Sequence, residues 1–578
     1  MPTRTQIYTL LIVISAGLML GRIIAVNRTD TLLFQQSRFS AVNTTYNERA
    51  AQLEGQLRES EGLSEEEIEK RLAELEERRQ QALENERREL PVFSANDRSR
   101  WATIRVLVEP DMRVQRTVEL PDGTSRIETV WYAIDKAQNV RGWDTIDMVK
   151  HDLPDQPGVG FGCPDECKIC AARPEEEESK CGYLYSSKPP LLPTLMAIPY
   201  YVMYTASRGK ISLAEHPHLV VRVTLVVCNL IPLMICWFLL ARLIERFGMT
   251  DWGRIFCVAF LCFGTFISTF AVTLNNHLPG VVCVAVAFYF AVRIVYDGKT
   301  QWRYYAAAGF FAAFAVACEL PALLFCCLTA LWLFVHYWKG AFSAAPGTAE
   351  DSKEESGAAV HTLPSAVCRP SSAAGLIIFT LVALLVAGAY FGANYFAHKT
   401  LLPAYAKKYG DDSWYLYEYE RGGRVLQSHW TNPKDLDAGE PCPATYVFHS
   451  AIGHHGLFSL TPVWALSFLG LGIWLFDRRY RTMSAIILLT GIVVFTFYMQ
   501  QPLHERNYGG NTSALRWMFW LAPLWSVALV AAADWLSRNA FFRAVALLCL
   551  AASVMSAAYP IWNPWTMPWT FNLLEYVR

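Results

Sequence analysis

Runs of roughly 17–23 apolar residues recur along this chain, and a helix of that length crosses the roughly 30 Å hydrocarbon core of a bilayer. A soluble globule cannot absorb so many. The 578 residues are 53% hydrophobic and carry a net charge of -1. Acidic residues crowd the stretch after the first run, and nothing suggests the basic surface that a nucleic-acid partner would need. Most of the 15 cysteines fall in apolar runs, where they serve as small hydrophobes.

The expected fold is an all-α polytopic membrane protein with about eleven transmembrane helices and an enlarged extracytoplasmic first loop of mixed helix and strand. The spans are read at 7–26, 219–241, 255–273, 279–297, 304–318, 321–338, 374–393, 457–476, 483–500, 517–535 and 542–559. No small-residue cleavage site follows the first, so it reads as an uncleaved anchor. The chain divides into the anchor (1–26), a helical, coiled-coil-like segment (27–92), and a first loop (93–210). A bundle (211–400), a second loop (401–456), a second bundle (457–560) and a tail (561–578) follow.

Arginine and lysine orient the spans. The loops with Arg242, Arg246 and Arg254, with Arg293, Lys299 and Arg303, with Lys339, and with Arg478, Arg479 and Arg481 should be cytoplasmic. The amino terminus is then inside, with residues 27–186 and the carboxyl terminus outside. This holds only if 189–207, rich in proline and tyrosine, lies in the interface without crossing.

Residues 45–92 read as a solvated helical hairpin or, less simply, a coiled-coil partner site, with a capping box at Ser64-Glu-Glu-Glu67. Trp101 to Val108 is helix-like, and Pro121-Asp-Gly123 marks a hairpin turn. Cys163, Cys167, Cys170 and Cys181 form the one dense cysteine group. Disulfides, zinc and an iron–sulfur cluster are all open for it, and each would staple the loop.

The unusual polar residues fall on one side of the oriented spans: Asp97, Lys188, Asn275, Asn276, His277, Glu319, His449, His454, His455, His504, Glu505, Arg506, Asn507 and Arg516. Ionisable groups in membrane spans are costly and persist beside water or partners, so one-sided clustering points to an outer cavity. Each also has a plainer reading. Glu319 precedes Leu-Pro321 and suits a tight turn, and Asn275-Asn-His277 suits a helix start. His454-His455 is a metal half-site or an interfacial turn, and Arg516 beside Trp517 suits an interface anchor.

Asp97-Arg-Ser-Arg100-Trp101-Ala-Thr-Ile104 resembles the Asp-Glu-x-Arg-Tyr-x-x-Ile pattern of polytopic glycosyltransferases of the C superfamily, which use polyprenyl-phosphate sugars. Protein O-mannosyltransferases and lipid A aminoarabinose transferases are among them. Lys188-Pro-Pro-Leu191 is similar to the Lys-Pro-Pro-Leu that ends their first loop. Asn507-Tyr-Gly-Gly510 and Arg516-Trp517-Met-Phe-Trp-Leu-Ala-Pro523 are looser likenesses. Two departures stand out: Arg98 replaces the second acid, and the first loop is much longer.

The resemblance implies hexosyl or pentosyl transfer from a polyprenyl-phosphate-linked sugar, held with membrane lipid, to an extracytoplasmic protein, lipid or cell-envelope glycan. Phosphate is already a good leaving anion, so the general acid that ordinary glycosidases require is dispensable. Asp97 is expected as general base and Lys188 on the phosphate, with Arg516 or Arg506 adding a bidentate contact. Arg100, Asn276, His277, Glu319, His454, His455 and Glu505 are candidate sugar or acceptor contacts. A divalent cation is an open cofactor, and a bacterial inner membrane is the expected location. A transporter or lipid flippase, or a membrane-anchored structural or sensory protein, is the alternative. Transporters place polar groups at the midplane of paired halves, a pattern absent from this sequence.

Overall fold

The computed structural model describes residues 3–25, 32–59, 64–86, 91–92, 94–119, 122–140, 142–151, 182–343, 371–410, 412–421, 424–560 and 563–577. Among them, nine helices are long and apolar enough to cross a membrane. They are Arg4–Ala25, Pro217–Phe247, Asp251–Val272, His277–Asp297, Leu320–Lys339, Ala373–His398, Arg481–Met499, Arg516–Leu536 and Ala540–Ala558. The chain is an integral membrane protein. The other two expected spans are shorter. Trp302–Cys318 has 17 residues, and 457–476 is split into Leu457–Leu460 and Val463–Phe476. Pro462 makes the break by driving Thr461 out of helical geometry, to φ -134 and ψ 75. Among the described residues, nine of the eleven expected spans are thus long, apolar helices and two are shorter.

The ends of the bundle sort as the charge pattern predicts. Arg4 pairs with Glu245 at 2.8 Å and Asp251 at 2.6 Å, tying the amino terminus to the 242–254 loop. Arg246 reaches Asp297 at 2.6 Å, and Tyr296 donates to the Arg479 carbonyl. His277 and Asp297 terminate one helix of 21 residues, so its two ends lie about 30 Å apart at 1.5 Å per residue. The candidate polar residues around His277 are therefore at the far end from the arginine-rich loops.

The segment between the first and second spans combines helix and strand. Leu32–Glu59 and Glu65–Glu86 pack together as a hairpin. Ser64 caps the second of these by accepting from the Glu67 amide at 3.3 Å. Strands Val114–Glu119 and Ser125–Val130 pair antiparallel. Gly123 between them takes φ +79, and Asp122 accepts from Thr124, so the Asp-Gly turn forms as its composition requires. A second antiparallel pair joins Met148–His151 to Tyr183–Ser186. The four clustered cysteines lie outside the described residues.

Two helices clamp this segment to the bundle. Ala95–Val108 begins at Ser94, which accepts from the Asp97 amide. Leu191–Ala206 begins after Pro189 and Pro190, whose missing amides cost nothing at a helix start. Arg105 and Glu109 form a buried pair at 2.8 Å, and Tyr200 of the second helix donates to Glu109 at 2.5 Å. Breaking a buried pair by removing one partner costs about 3–5 kcal/mol, so the two helices behave as one piece. Leu195, Ile198, Tyr201 and Val202 stay exposed on the second helix, an apolar face suited to lipid.

Candidate functional site

The antiparallel pair Met148–His151 and Tyr183–Ser186 sets the central ion pair. Met148 lies opposite Ser186, and the Ser187 amide donates to the Asp147 carbonyl at 3.1 Å. Asp147 and Lys188 thus emerge side by side at one end of the ladder, with Lys188 Nζ 3.1 Å from Asp147 Oδ1. Three hydroxyl-centred bonds lock the corner. The Lys188 amide donates to Ser186 Oγ at 3.1 Å, and Ser99 Oγ donates to the Asp147 carbonyl at 2.6 Å. Each serine has one proton to give, so Ser186 must be the donor in its 2.6 Å contact with Ser99.

Arg100 reaches the same place from the Ala95–Val108 helix. It donates to the Asn96 side chain and to Asn276 Oδ1, the latter at 2.6 Å. Asn276 passes the connection on, donating to Glu319 Oε1 at 2.8 Å, and His277 Nδ1 meets the same oxygen at 2.5 Å. Asn275 Oδ1 caps the His277–Asp297 helix by accepting from Leu278. Glu319 does sit at a tight turn, where its carbonyl accepts from Ala322. The plain reading and the functional one therefore coexist at Glu319.

Arg516 completes the cluster. Its guanidinium lies over the Trp565 ring at 4.7 Å and makes no hydrogen bond or ion pair with any described residue; its Nε is buried without a partner. Gly509 makes room for it. A Cβ there would stand 3.1 Å from Arg516 Nε, and Tyr508, Gly509 and Gly510 all take positive φ. Gly-Gly suits that turn, whereas Tyr508 holds a left-handed conformation at a cost.

Arg100, Lys188, Asn276, His277, Glu319 and Arg516 all line one cavity of about 330 Å³. Its formal charge is positive: three cations against the single carboxylate of Glu319, with histidine neutral. Leu192, Pro193, Val316 and Leu320 form an apolar part of the same wall. Leu320 and Leu323 nearby are about half exposed, at 52% and 51%. A second cavity of about 450 Å³ shares Lys188 and Arg516 with the first and adds Asp147, Lys408, Asp437 and Glu505.

Electrostatics of the ion pair differ for its two members. Burial works to raise the Asp147 carboxyl, but Lys188, then Arg516 and Arg100, outweigh it and hold the group below its ordinary value. Burial also acts first on Lys188, lowering it. Asp147 opposes this, yet Arg100 and Arg516 push the same way as burial. The carboxylate is secure, and the ammonium is disfavoured first by burial and then by two other cations. A further anion would relieve it.

None of the remaining expected residues lines the first cavity. Asp97 is buried under the cavity wall and lines neither cavity; its Oδ1 accepts from the Leu274 amide at 3.0 Å. Arg506 spends its guanidinium on the carbonyls of Gln501 and Pro441. His454 and His455 occupy a turn, Nδ1 to Nδ1 at 2.5 Å, stacked among His449, Tyr508 and Phe571. Among the described residues no group of three or more His, Cys, Asp or Glu could hold a metal ion. Asp147 and Lys408 were not foreseen; both lie in ordinary polar stretches and gain meaning only by long-range pairing.

These features define an integral membrane protein with a cation-lined cavity at one end of its bundle. No family model matches the sequence, and no curated protein matches it. Among solved structures, it is similar to the Archaeoglobus fulgidus oligosaccharyltransferase in complex with zinc and sulfate, at 11% identity and TM-score 0.33, over 68% of this chain and 47% of that one. It is also similar to the archaeal oligosaccharyltransferase AglB from Archaeoglobus fulgidus in complex with an inhibitory peptide and a dolichol-phosphate. There the identity is 11% and the TM-score 0.34, over 67% and 49% of the two chains. The chain spans about half the length of these proteins. At such values neither a family nor an activity carries over.

Proposed function

We propose that this protein is a membrane glycosyltransferase that takes a sugar from a polyprenyl-phosphate donor bound in the first cavity. The observation that carries the reading is Arg516: a half-buried guanidinium lining the cavity, with no hydrogen-bonded anion, beside Arg100 and Lys188. Burying a cation costs on the order of several kcal/mol, and three such groups together do not serve stability. They suit a phosphate, which an arginine fork can engage bidentately. The apolar wall at Leu192, Pro193, Val316 and Leu320 suits the first units of a lipid chain, and the exposed leucines continue that surface.

The chemistry follows from charge. As the bond from the sugar carbon to the phosphate oxygen breaks, negative charge grows on phosphate, where Lys188 and Arg516 stabilise it. Asn276, His277 and Glu319 are then within reach to orient sugar hydroxyls. An acceptor hydroxyl needs a base, and two carboxylates are candidates: Asp97, which the motif resemblance nominates, and Asp147. The acceptor is taken to be extracytoplasmic, and a bacterial inner membrane the setting.

Lys188→Ala in nanodisc-reconstituted protein tests the reading. Binding of a radiolabelled polyprenyl-phosphate sugar should weaken by at least about tenfold, since a charged hydrogen bond contributes roughly 1.5–3 kcal/mol, with acceptor KM changing far less. Equal effects on both substrates would remove the phosphate assignment. Transport is disfavoured because His277 and Arg516 stand at the ends of spans rather than at a midplane.

A further inference from the structure

Asp147 lines the second cavity and not the first, while Lys188 and Arg516 line both. A carboxylate therefore stands just across the shared cation wall from the donor's proposed phosphate. The other charges of the second cavity balance in number, Arg98 and Lys408 against Asp437 and Glu505. Glu505 is held by Lys408 and Tyr409, each at 2.6 Å. Asp437 meets His429 at 3.1 Å and Asn507 at 3.2 Å. Little net charge remains to recruit an ionic ligand.

What the cavity still offers is neutral: the indoles of Trp430 and Trp517, the amides of Asn96 and Asn511, and the bare backbone of Gly509 and Gly510. Ring faces suit the C–H surface of a sugar and amides suit its hydroxyls. The volume falls within the roughly 300–1,000 Å³ of small-molecule pockets.

We propose that the second cavity is the acceptor site, that it takes a neutral polyhydroxylated sugar, and that Asp147 removes the proton from the attacking hydroxyl. This rests on the donor reading above and deepens it. The acceptor oxygen forms a bond to the anomeric carbon and gives its proton to Asp147. The bond from that carbon to the phosphate oxygen breaks, and its electron pair leaves with the phosphate. Lys188 links the two events: as charge grows on phosphate it is drawn that way, and its hold on Asp147 slackens when the base is needed. Asp97, committed to the Leu274 amide, is then a positioning residue.

The test uses the full chain in nanodiscs with a panel of radiolabelled polyprenyl-phosphate hexoses and pentoses. Methyl glycosides and an N-acetyl-threonine amide serve as acceptors. Expected are transfer to a methyl glycoside but not to the threonine, and a kcat at least about 100-fold lower for Asp147→Asn with donor binding not weakened. Asn511→Trp, at an exposed position, should raise acceptor KM about tenfold or more by filling the cavity and leave donor Kd alone. Three results would overturn the proposal: a wild-type rate in Asp147→Asn, donor affinity falling in step with rate in that variant, or transfer to threonine alone. Wild-type protein that transfers from no donor in the panel would bring down the donor reading as well, so the two failures are distinguishable.

Discussion

The guanidinium of Arg516 lies 4.7 Å from the centre of the Trp565 ring and hydrogen-bonds to no described residue. An arginine held by an aromatic face, with its donors uncommitted, is preset for an incoming anion. Arg516→Lys should therefore not substitute: it keeps the charge but loses both the fork and the flat contact. Donor affinity, read by equilibrium binding of a polyprenyl-phosphate sugar, should drop about tenfold in Arg516→Lys and further in Arg516→Ala. Wild-type affinity in the lysine variant would remove the bidentate role.

Gly509 gives a test of the same contact from the backbone side. Gly509→Ala places a methyl against Arg516 Nε at φ +96, whereas Gly510→Ala, at φ +75, meets nothing nearer than Asp437 Oδ1 at 3.7 Å. Both changes should cost on the order of 1–3 kcal/mol in strain. Only Gly509→Ala should also weaken donor binding. Equal binding by the two variants would separate Arg516 from the donor.

Asp97 can be probed by the difference between two replacements. Asparagine keeps an oxygen for the Leu274 amide, and alanine does not. Asp97→Asn should retain at least about a tenth of the transfer rate, while Asp97→Ala leaves a buried amide unsatisfied and loses about 1–3 kcal/mol of stability. Abolished transfer in a normally stable Asp97→Asn would return the base's role to this residue.

His455 predicts a pH effect on stability away from the cavities. Burial, then the neighbouring His454 and His449, push its imidazole down from 6.5 to about 3. The unfolded chain takes up this proton near pH 6.5 and the folded chain resists until about 3, so stability falls as pH drops through that window. Thermal unfolding midpoints between pH 7 and 5 should decline for the wild type and decline less for His455→Phe. An unchanged slope in that variant would assign the acid sensitivity elsewhere.

Where local chemistry decides, the sequence was legible. The Asp-Gly turn at 122–123 and the helix following Pro190 each follow from a few adjacent residues, as does the cap at Ser64. Lys188 was readable too, because prolines fix the backbone just after it. Asp147 was not: its significance comes from a strand pairing with residues near 186, far along the chain. Arg506 and Arg516 flank the same glycine turn and look alike in sequence. The fold tells them apart by spending Arg506 on carbonyls and leaving Arg516 open. Within 457–476 hydropathy averages over Pro462, whereas backbone geometry does not, so the break in the helix there was not legible.

The Arg105–Glu109–Tyr200 knot ties the helix bearing Arg100 to the lipid-suited helix that follows Lys188. Whatever depth the second helix adopts at the membrane surface, the arginine must share. Hydrophobic mismatch costs only fractions of a kcal/mol per ångström, yet through this rigid link it would set how far the charge stands above the acyl chains. Bilayer thickness thereby bears on the height of Arg100, whether or not the cavity holds a ligand.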